Sequence, residues 1–221
     1  MEKIGQNGKK RGWFITIEGP EGAGKSSCAE VLMNFFNTRG IPVISTREPG
    51  GTPLAEKLRE TVKNKPDDGE VIHPETELLL MEAARAQHVR EKIVPAIEQG
   101  TTVICDRFTD STIAYQGGGR KMDCQIITAF NNYASGICRP DLTILLDLPP
   151  ECGFRRVAKR GSADAENDRF EAEKMEFHYR VREKFLDIAK CEPERVKIVD
   201  ASLPQDEVAS LVEKIIDEFI R

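Results

Sequence analysis

The sequence has no cysteine pair at C-x-x-C spacing, no histidines at metal-ligand spacing and no apolar run of membrane-spanning length. Its six cysteines (Cys28, Cys105, Cys124, Cys138, Cys152 and Cys191) are scattered, several of them inside apolar segments. A disulfide framework and a zinc site are thereby excluded, which leaves small buried hydrophobes in a reducing compartment. His73, His88 and His178 read as structural or surface residues. The start of the chain has charge but no apolar segment of a secretion signal, so a cytoplasmic protein is expected. Positive excess is lacking too. A formal net charge of −5 offers nucleic acid or an anionic membrane no global attraction. Any anionic substrate must be met by local arginines. No internal repeat or low-complexity segment occurs. What is present is ordinary: 221 residues, 39% hydrophobic and 31% charged, enough for one α/β domain with a sizeable core.

The most informative stretch runs from Phe14 to Ser26, an apolar strand leading into Gly19-Pro20-Glu21-Gly22-Ala23-Gly24-Lys25-Ser26 and on to Ser27. This is the G-x-x-x-x-G-K-[ST] pattern of a phosphate-binding loop. Glycines let backbone N–H groups close on phosphate oxygens. Lys25 brings a mobile charge to the β and γ phosphates, and the Ser26 hydroxyl can ligate Mg²⁺. The helix that starts here adds its positive end. A nucleoside triphosphate is the expected ligand.

Residues 1–12 read as a polar tail and 13–221 as a single domain. Strands are expected at Phe14–Glu18, Val43–Thr46, Thr102–Cys105, Leu142–Leu146 and Val196–Val199, and several of them are continuously apolar. Such strands are buried on both faces, and their alternation with helical segments predicts a parallel five-stranded sheet with helices on both sides. One long helix is expected from Glu75 to about Gln99, and residues 111–137 are read as a glycine-containing loop followed by a helix. Ligands in such folds collect at the carboxyl ends of the strands, which lines up Glu18 to Lys25, Arg47-Glu48, Asp106-Arg107 and Asp147.

Asn64-Lys65-Pro66-Asp67 spells the N-K-x-D motif of GTP-binding switches. It follows a charged helix rather than a buried strand, however, and its partner motif D-x-x-G is nowhere in the chain. A polar turn is the plain reading. The arginines point instead to a kinase with a phosphorylated acceptor. Arg47, Arg85, Arg107 and Arg120 are joined by a dense group, Arg155, Arg156, Lys159, Arg160 and Arg169. That group brackets a small polar stretch and reads as a lid over about 155–170. Two phosphorylated substrates repel each other, and cationic clamps are needed to bring them in line.

With these segments the chain resembles the thymidylate kinase family, bacterial type, over almost its whole length. The resemblance rests on Ile17 to Ser26, Thr46-Arg47-Glu48-Pro49-Gly50-Gly51, Ala83-Ala84-Arg85 and Asp106-Arg107. It continues through Ser111-Thr112-Ile113-Ala114-Tyr115-Gln116-Gly117-Gly118-Gly119-Arg120, Arg139-Pro140-Asp141, Asp168-Arg169-Phe170-Glu171 and Val199-Asp200-Ala201. It implies a three-layer P-loop NTPase fold with a lid, and ATP-dependent phosphorylation of dTMP with Mg²⁺ by a homodimer that uses neither nucleic acid nor membrane.

The resemblance also implies residue roles. Arg47 and Arg107 hold the acceptor 5′-phosphate, beside Glu48 and Pro49. Arg85 hydrogen-bonds the pyrimidine, while Ser111, Tyr115 and Gln116 line the nucleoside pocket. Glu21 accepts from the sugar 3′-OH, and Tyr115 stands where a 2′-OH would collide. Met81 occupies the place where relatives stack a phenylalanine on the base, a looser wall. Some relatives carry an arginine after the acidic P-loop residue. Gly22 stands there in this chain, so the arginine on the transferring phosphoryl is expected from the lid, Arg160 first, then Arg156 and Arg169. Asp106 is expected to hold Mg²⁺ through water, with pairing to Arg107 as the alternative.

Overall fold

The computed structural model describes residues 11–66, 69–160 and 168–221. Five strands, β1 (Phe14–Glu18), β2 (Val43–Arg47), β3 (Thr102–Asp106), β4 (Leu142–Asp147) and β5 (Val196–Asp200), form one sheet in the order β2-β3-β1-β4-β5. Every pairing is parallel, with Ile15 beside Ile104 on one side and Leu142 on the other. β1 therefore lies at the centre, and the chain leaves it at the point where strand order reverses.

Alternation along the strands sends side chains to two helical layers. Ile15, Ile17 and Ile144 pack with Leu32 and Phe36 of α1 (Lys25–Thr38) and with Val212 and Ile216 of α9 (Gln205–Ile220). On the opposite face, Phe14 and Val103 meet Ile93 and Ile97, while Leu145 meets Phe177, Val181 and Phe185 of α8 (Met175–Cys191). This is the expected three-layer α/β arrangement. The remaining helices are α2 (Pro53–Lys63), α3 (Pro74–His88), α4 (Val94–Glu98), α5 (Thr109–Thr112), α6 (Cys124–Ser135) and α7 (Pro150–Arg160). No helix among the described residues is long and apolar enough to cross a membrane.

Three local expectations are corrected. The single helix over 75–99 is α3 and α4 joined by a wide π-helical turn at Val89–Ile93. Pro95 explains it, because its ring and missing N–H disturb the turn before it, and a π-bulge absorbs the misfit. The glycines at 117–119 are not in an open loop but in a second π-helical turn, Ile113–Gly119. Gly118 and Gly119 are small because α8 lies on them: a Cβ at Gly119 would come within 2.4 Å of the Phe177 ring. Arg180 of α8 donates to the carbonyls of Gly118 and Gly119 at 3.2 and 2.8 Å.

The polar tail also ends early. Arg11 pairs with Asp141 at 2.6 Å, and the Gly12 N–H donates to the Ile97 carbonyl at 2.9 Å, so residues 11 and 12 already belong to the domain. Asp67 of the N-K-x-D motif lies outside the described residues. All six thiols are free, but only Cys28, Cys105 and Cys138 are buried; Cys124 and Cys152 are half-buried and Cys191 is exposed.

Candidate active site

A cavity of about 810 Å³ opens at the carboxyl ends of the strands. That is room for two nucleotide-sized ligands in contact. Most of the expected residues line it: Glu21 to Ser27, Arg47 to Pro49, Met81, Arg85, Asp106, Arg107, Ser111, Tyr115, Gln116 and Arg156.

β1 ends in the phosphate loop, whose backbone turns through Gly22 at φ +75°. A Cβ on Gly22 would lie 2.4 Å from the Gly153 carbonyl oxygen, and one on Gly153 would lie 2.2 Å from the Glu21 carbonyl. The loop and the start of α7 thus meet backbone to backbone. Lys25 opens α1 and is buried, its Nζ donating to the Pro20 carbonyl at 2.9 Å and the Gly19 carbonyl at 3.4 Å. Burial, together with repulsion from Arg107, lowers its pKa. Ser26 is exposed beside it. The charge of Lys25, with Arg107 adding to it, holds the Glu21 carboxyl down at about 2.

Arg107 follows β3 with φ +69°, an uncommon conformation for a side chain of this size that costs on the order of 1–3 kcal/mol. The strain is held by its surroundings. Its N–H donates to the Ile17 carbonyl at 2.9 Å. Nη1 donates to the Gly19 carbonyl at 3.0 Å and Ser111 Oγ at 3.3 Å, and Nη2 to Glu21 Oε2 at 3.1 Å. Arg107 is therefore not the salt-bridge partner of Asp106. Asp106 Oδ1 is buried and has no hydrogen-bond partner among the described residues.

Glu18, which sequence reasoning placed only on the strand-end edge, organises the next segment. Its Oε1 accepts from the backbone N–H of Phe108 at 2.7 Å and of Ser111 at 3.3 Å, and its Oε2 lies 2.5 Å from Ser111 Oγ. Burial, with nearby Asp110 adding to it, pushes its carboxyl up to about 8.

Glu77, Met81 and Arg85 stand four residues apart on α3 and so share a face. Arg85 is buried and heavily bonded. Nε donates to Glu48 Oε2 at 2.8 Å, Nη1 to Glu82 Oε1 and Asn131 Oδ1 at 2.6 Å each, and Nη2 to Thr112 Oγ1 at 3.0 Å. A guanidinium has five N–H groups, so a single Nη2 hydrogen is left for a ligand. Glu48 also meets His88 Nδ1 at 2.9 Å, and His88 Nε2 lies 2.8 Å from Thr46 Oγ1. The Arg-Glu-Pro-Gly-Gly loop is thus locked to α3 through His88 and Glu48, neither of which has an obvious partner from spacing alone.

At the phosphate end, Arg47 is exposed and paired with Glu56 at 3.0 Å. Arg59, unanticipated, lines the cavity and donates to the Pro49 carbonyl at 2.8 Å. Burial, and repulsion from Arg47 and Arg107, lower its pKa. On a charged helix it looked like one more solvated residue. The far end of the cavity, also unforeseen, has an apolar wall that includes Val31, Leu203, Val208 and Val212 between α1 and α9.

The lid residues divide. Arg156 reaches the loop, Nη1 to the Gly22 carbonyl at 3.5 Å. The Arg160 side chain and residues 161–167 lie outside the described residues. Arg169, expected at the triphosphate, is elsewhere. It donates to the Val62 carbonyl at 2.6 Å, the Ile72 carbonyl at 3.3 Å and Glu77 Oε2 at 3.0 Å. With Asp168 on Lys63 at 2.7 Å, it fastens the returning chain to α2 and α3. Arg120 is likewise turned to Glu77 and Glu173, away from the cavity.

A parallel sheet in this order, a phosphate loop running into α1, and an arginine-lined second half of one cavity define a P-loop nucleotide-binding phosphotransferase fold. The thymidylate kinase family model matches residues 17–212, and the chain belongs to that family. A thymidylate kinase of Pseudomonas fluorescens (strain Pf0-1) is 49% identical over 209 residues, covering 95% of this chain and 97% of the relative. One from Desulfosudis oleivorans is 48% identical over 200 residues, 89% and 92% of the two chains. The crystal structure of thymidylate kinase from Ehrlichia chaffeensis superposes with a TM-score of 0.74 at 33% identity, covering 94% of this chain and 99% of that one.

Proposed function

We propose that this chain transfers the γ-phosphoryl group of ATP to the 5′-phosphate of dTMP, giving ADP and dTDP. The observation that carries the reading is one cavity with two halves: Lys25 and the loop on one side, Arg107 with Arg85 and Gln116 on the other. An acceptor phosphate oxygen attacks the γ phosphorus in line as the bond to the β–γ bridging oxygen breaks. No general base is needed, because a phosphate monoester has its second pKa near ~6 and is largely dianionic at neutral pH. Arg107 and Arg47 neutralise the acceptor, Lys25 and the loop N–H groups the donor, and a lid arginine the group in flight. Glu21, ionised, suits the deoxyribose 3′-OH, and Tyr115 closes the space a 2′-OH would need. The apolar wall between α1 and α9 suits the donor base.

Asp106 and Ser26 fit a Mg²⁺ ion. Asp106 offers a buried oxygen with no hydrogen-bond partner among the described residues, and Ser26 offers an exposed hydroxyl at the start of α1. Held there, Mg²⁺ would supply charge neutralisation for the triphosphate.

We also place the protein in the cytoplasm, a reading that the six free thiols support, and expect a homodimer. One side of α6 and the turn after it supports the dimer, with Ile126, Phe130, Tyr133 and Ile137 exposed at 50%, 37%, 82% and 85%. Tyr133→Asp should turn a dimer into a monomer by sedimentation.

The deciding experiment measures ADP release from ATP and Mg²⁺ with dTMP, dUMP, UMP, dCMP, AMP or dGMP. Turnover with dTMP well above the others is expected. Turnover without acceptor, or with none of them, would overturn the reading. Comparable rates with dUMP would favour a broader pyrimidine kinase, for which the flexible wall at Met81 is the specific support.

A further inference from the structure

Glu77 is fully buried and lies behind the cavity rather than in it. Four hydrogen bonds from three side chains converge on its carboxylate. Oε1 receives Gln116 Nε2 at 2.8 Å and Arg120 Nε at 3.1 Å. Oε2 receives Arg120 Nη2 and Arg169 Nη2 at 3.0 Å each. A guanidinium can only donate, so both oxygens of Glu77 act as acceptors.

That settles which way the Gln116 amide faces. A primary amide carries a donor end and an acceptor end of nearly the same shape, and its neighbours choose between them. Facing an acceptor-only carboxylate, Gln116 must present its NH₂ to Glu77. Its Oε1 then becomes the end available to the cavity that Gln116 lines. Two turns from Glu77 on the same face of α3, Arg85 has an Nη2 hydrogen to spare and nothing but donors to show.

We infer that Glu77 is a positioning residue for base selection: it fixes Gln116 as an acceptor beside the Arg85 donor, a pair that fits a 4-keto pyrimidine and rejects a 4-amino one. Thymine and uracil present N3–H as donor next to O4 as acceptor. Cytosine inverts both, with N3 as acceptor and the 4-amino group as donor. In this site its amino group would face a guanidinium, and its N3 would face a carbonyl oxygen. Neither mismatch can be relieved by turning the amide, because the turn would set the amide oxygen against the Glu77 carboxylate. Buried polar groups left unpaired in this way make for strong rejection. Met81, on the same face, is apolar and takes no part in this choice.

The inference rests on the proposed function and deepens it. It is tested by comparing kcat/KM for dTMP and dCMP in the wild-type enzyme and in Glu77→Gln. The substituted side chain keeps the shape of Glu77 but can donate as well as accept, so the Gln116 amide is free to turn. The preference for dTMP over dCMP should narrow by at least ~10-fold, chiefly through KM. Glu77→Asp, still acceptor-only, should restore part of it. A purely structural Glu77 would lower both substrates together and leave the ratio unchanged, which would overturn the inference.

Should Glu77→Gln fail to fold, a crystal structure of the wild-type protein with dTMP decides. Gln116 is expected to keep its contact with Glu77 while placing the other end of the amide within about 3.2 Å of thymine N3. An amide that has left Glu77, or has no contact with N3, overturns the inference. Failure of the wild-type enzyme to use dTMP or dUMP at all would instead strike the functional reading itself.

Discussion

Glu21 and Arg107 form an ion pair, Nη2 to Oε2 at 3.1 Å, that ties the phosphate loop after β1 to the strained turn after β3. One residue was assigned to the acceptor sugar and the other to its phosphate, and each holds the other in place. The Glu21 carboxylate still has an oxygen free of this contact, and Arg107 has its other amino group on Gly19 and Ser111.

Glu21→Ala should therefore reduce discrimination between dTMP and its 3′-deoxy analogue. The comparison is kcat/KM for both substrates in wild type and variant. A loss of about tenfold or more in the ratio is expected for a charge-assisted hydrogen bond. An unchanged ratio would mean that Glu21 serves only Arg107 and Lys25.

The acid limb of activity should belong to the substrate. Glu21, held near 2, stays ionised throughout the working range, whereas the acceptor phosphate gains a proton near pH ~6. The kcat/KM profile for dTMP should fall with a midpoint close to that value, and Glu21→Gln should keep the midpoint while lowering the plateau. A midpoint that moves by a full unit in the variant would count against direct attack by the dianion.

Glu18 gives a stability signature of the opposite kind. Its carboxyl titrates at about 8 in the folded protein, above the ordinary 4.5. Between those values the folded state holds a proton that the unfolded chain has lost, so this group's contribution falls as pH rises through the interval. Glu18→Gln removes the titrating carboxyl. The melting temperature of wild type minus that of Glu18→Gln should decline from pH 5 to pH 8 and level off beyond. A difference that grows with pH would reverse the assignment.

Arg160→Ala should lower kcat by roughly 10³–10⁵ with little change in KM for dTMP, the range found for arginines on a transferring phosphoryl. Arg169→Ala should behave differently. Its partners are Val62, Ile72 and Glu77, so its loss should appear first as a lower melting temperature. Turnover by Arg160→Ala within a few-fold of wild type would move the role to Arg156.

Much of this was legible because its signal is local. The phosphate loop is contiguous, the buried strands are continuously apolar, and the strand-end rule placed Arg47, Asp106 and Arg107 on the right edge. What escaped depends on pairs distant in sequence. Glu77 and Arg169 are ninety-two positions apart, and nothing in either segment announces the other. Gln116 and Glu77 are thirty-nine apart. Arg59 resembled any residue of a charged helix until folding set it against the Pro49 carbonyl. The π-helical turns were missed for another reason. The helix over 75–99 was read straight through Pro95, and the glycines at 117–119 were read as a loop, when in each place the helical turn is widened.

The backbone contact between Gly22 and Gly153 reaches beyond catalysis. Any side chain at position 22 collides with the chain at 153, and any side chain at 153 collides with the loop. An arginine cannot be moved into the loop by one substitution without first pushing α7 away. Where the phosphoryl-contacting arginine resides is therefore a heritable choice guarded at two sites. A lineage that has made it must pass through a poorly packed intermediate to reverse it. The same joint leaves no space for any ligand group between the loop and the start of α7.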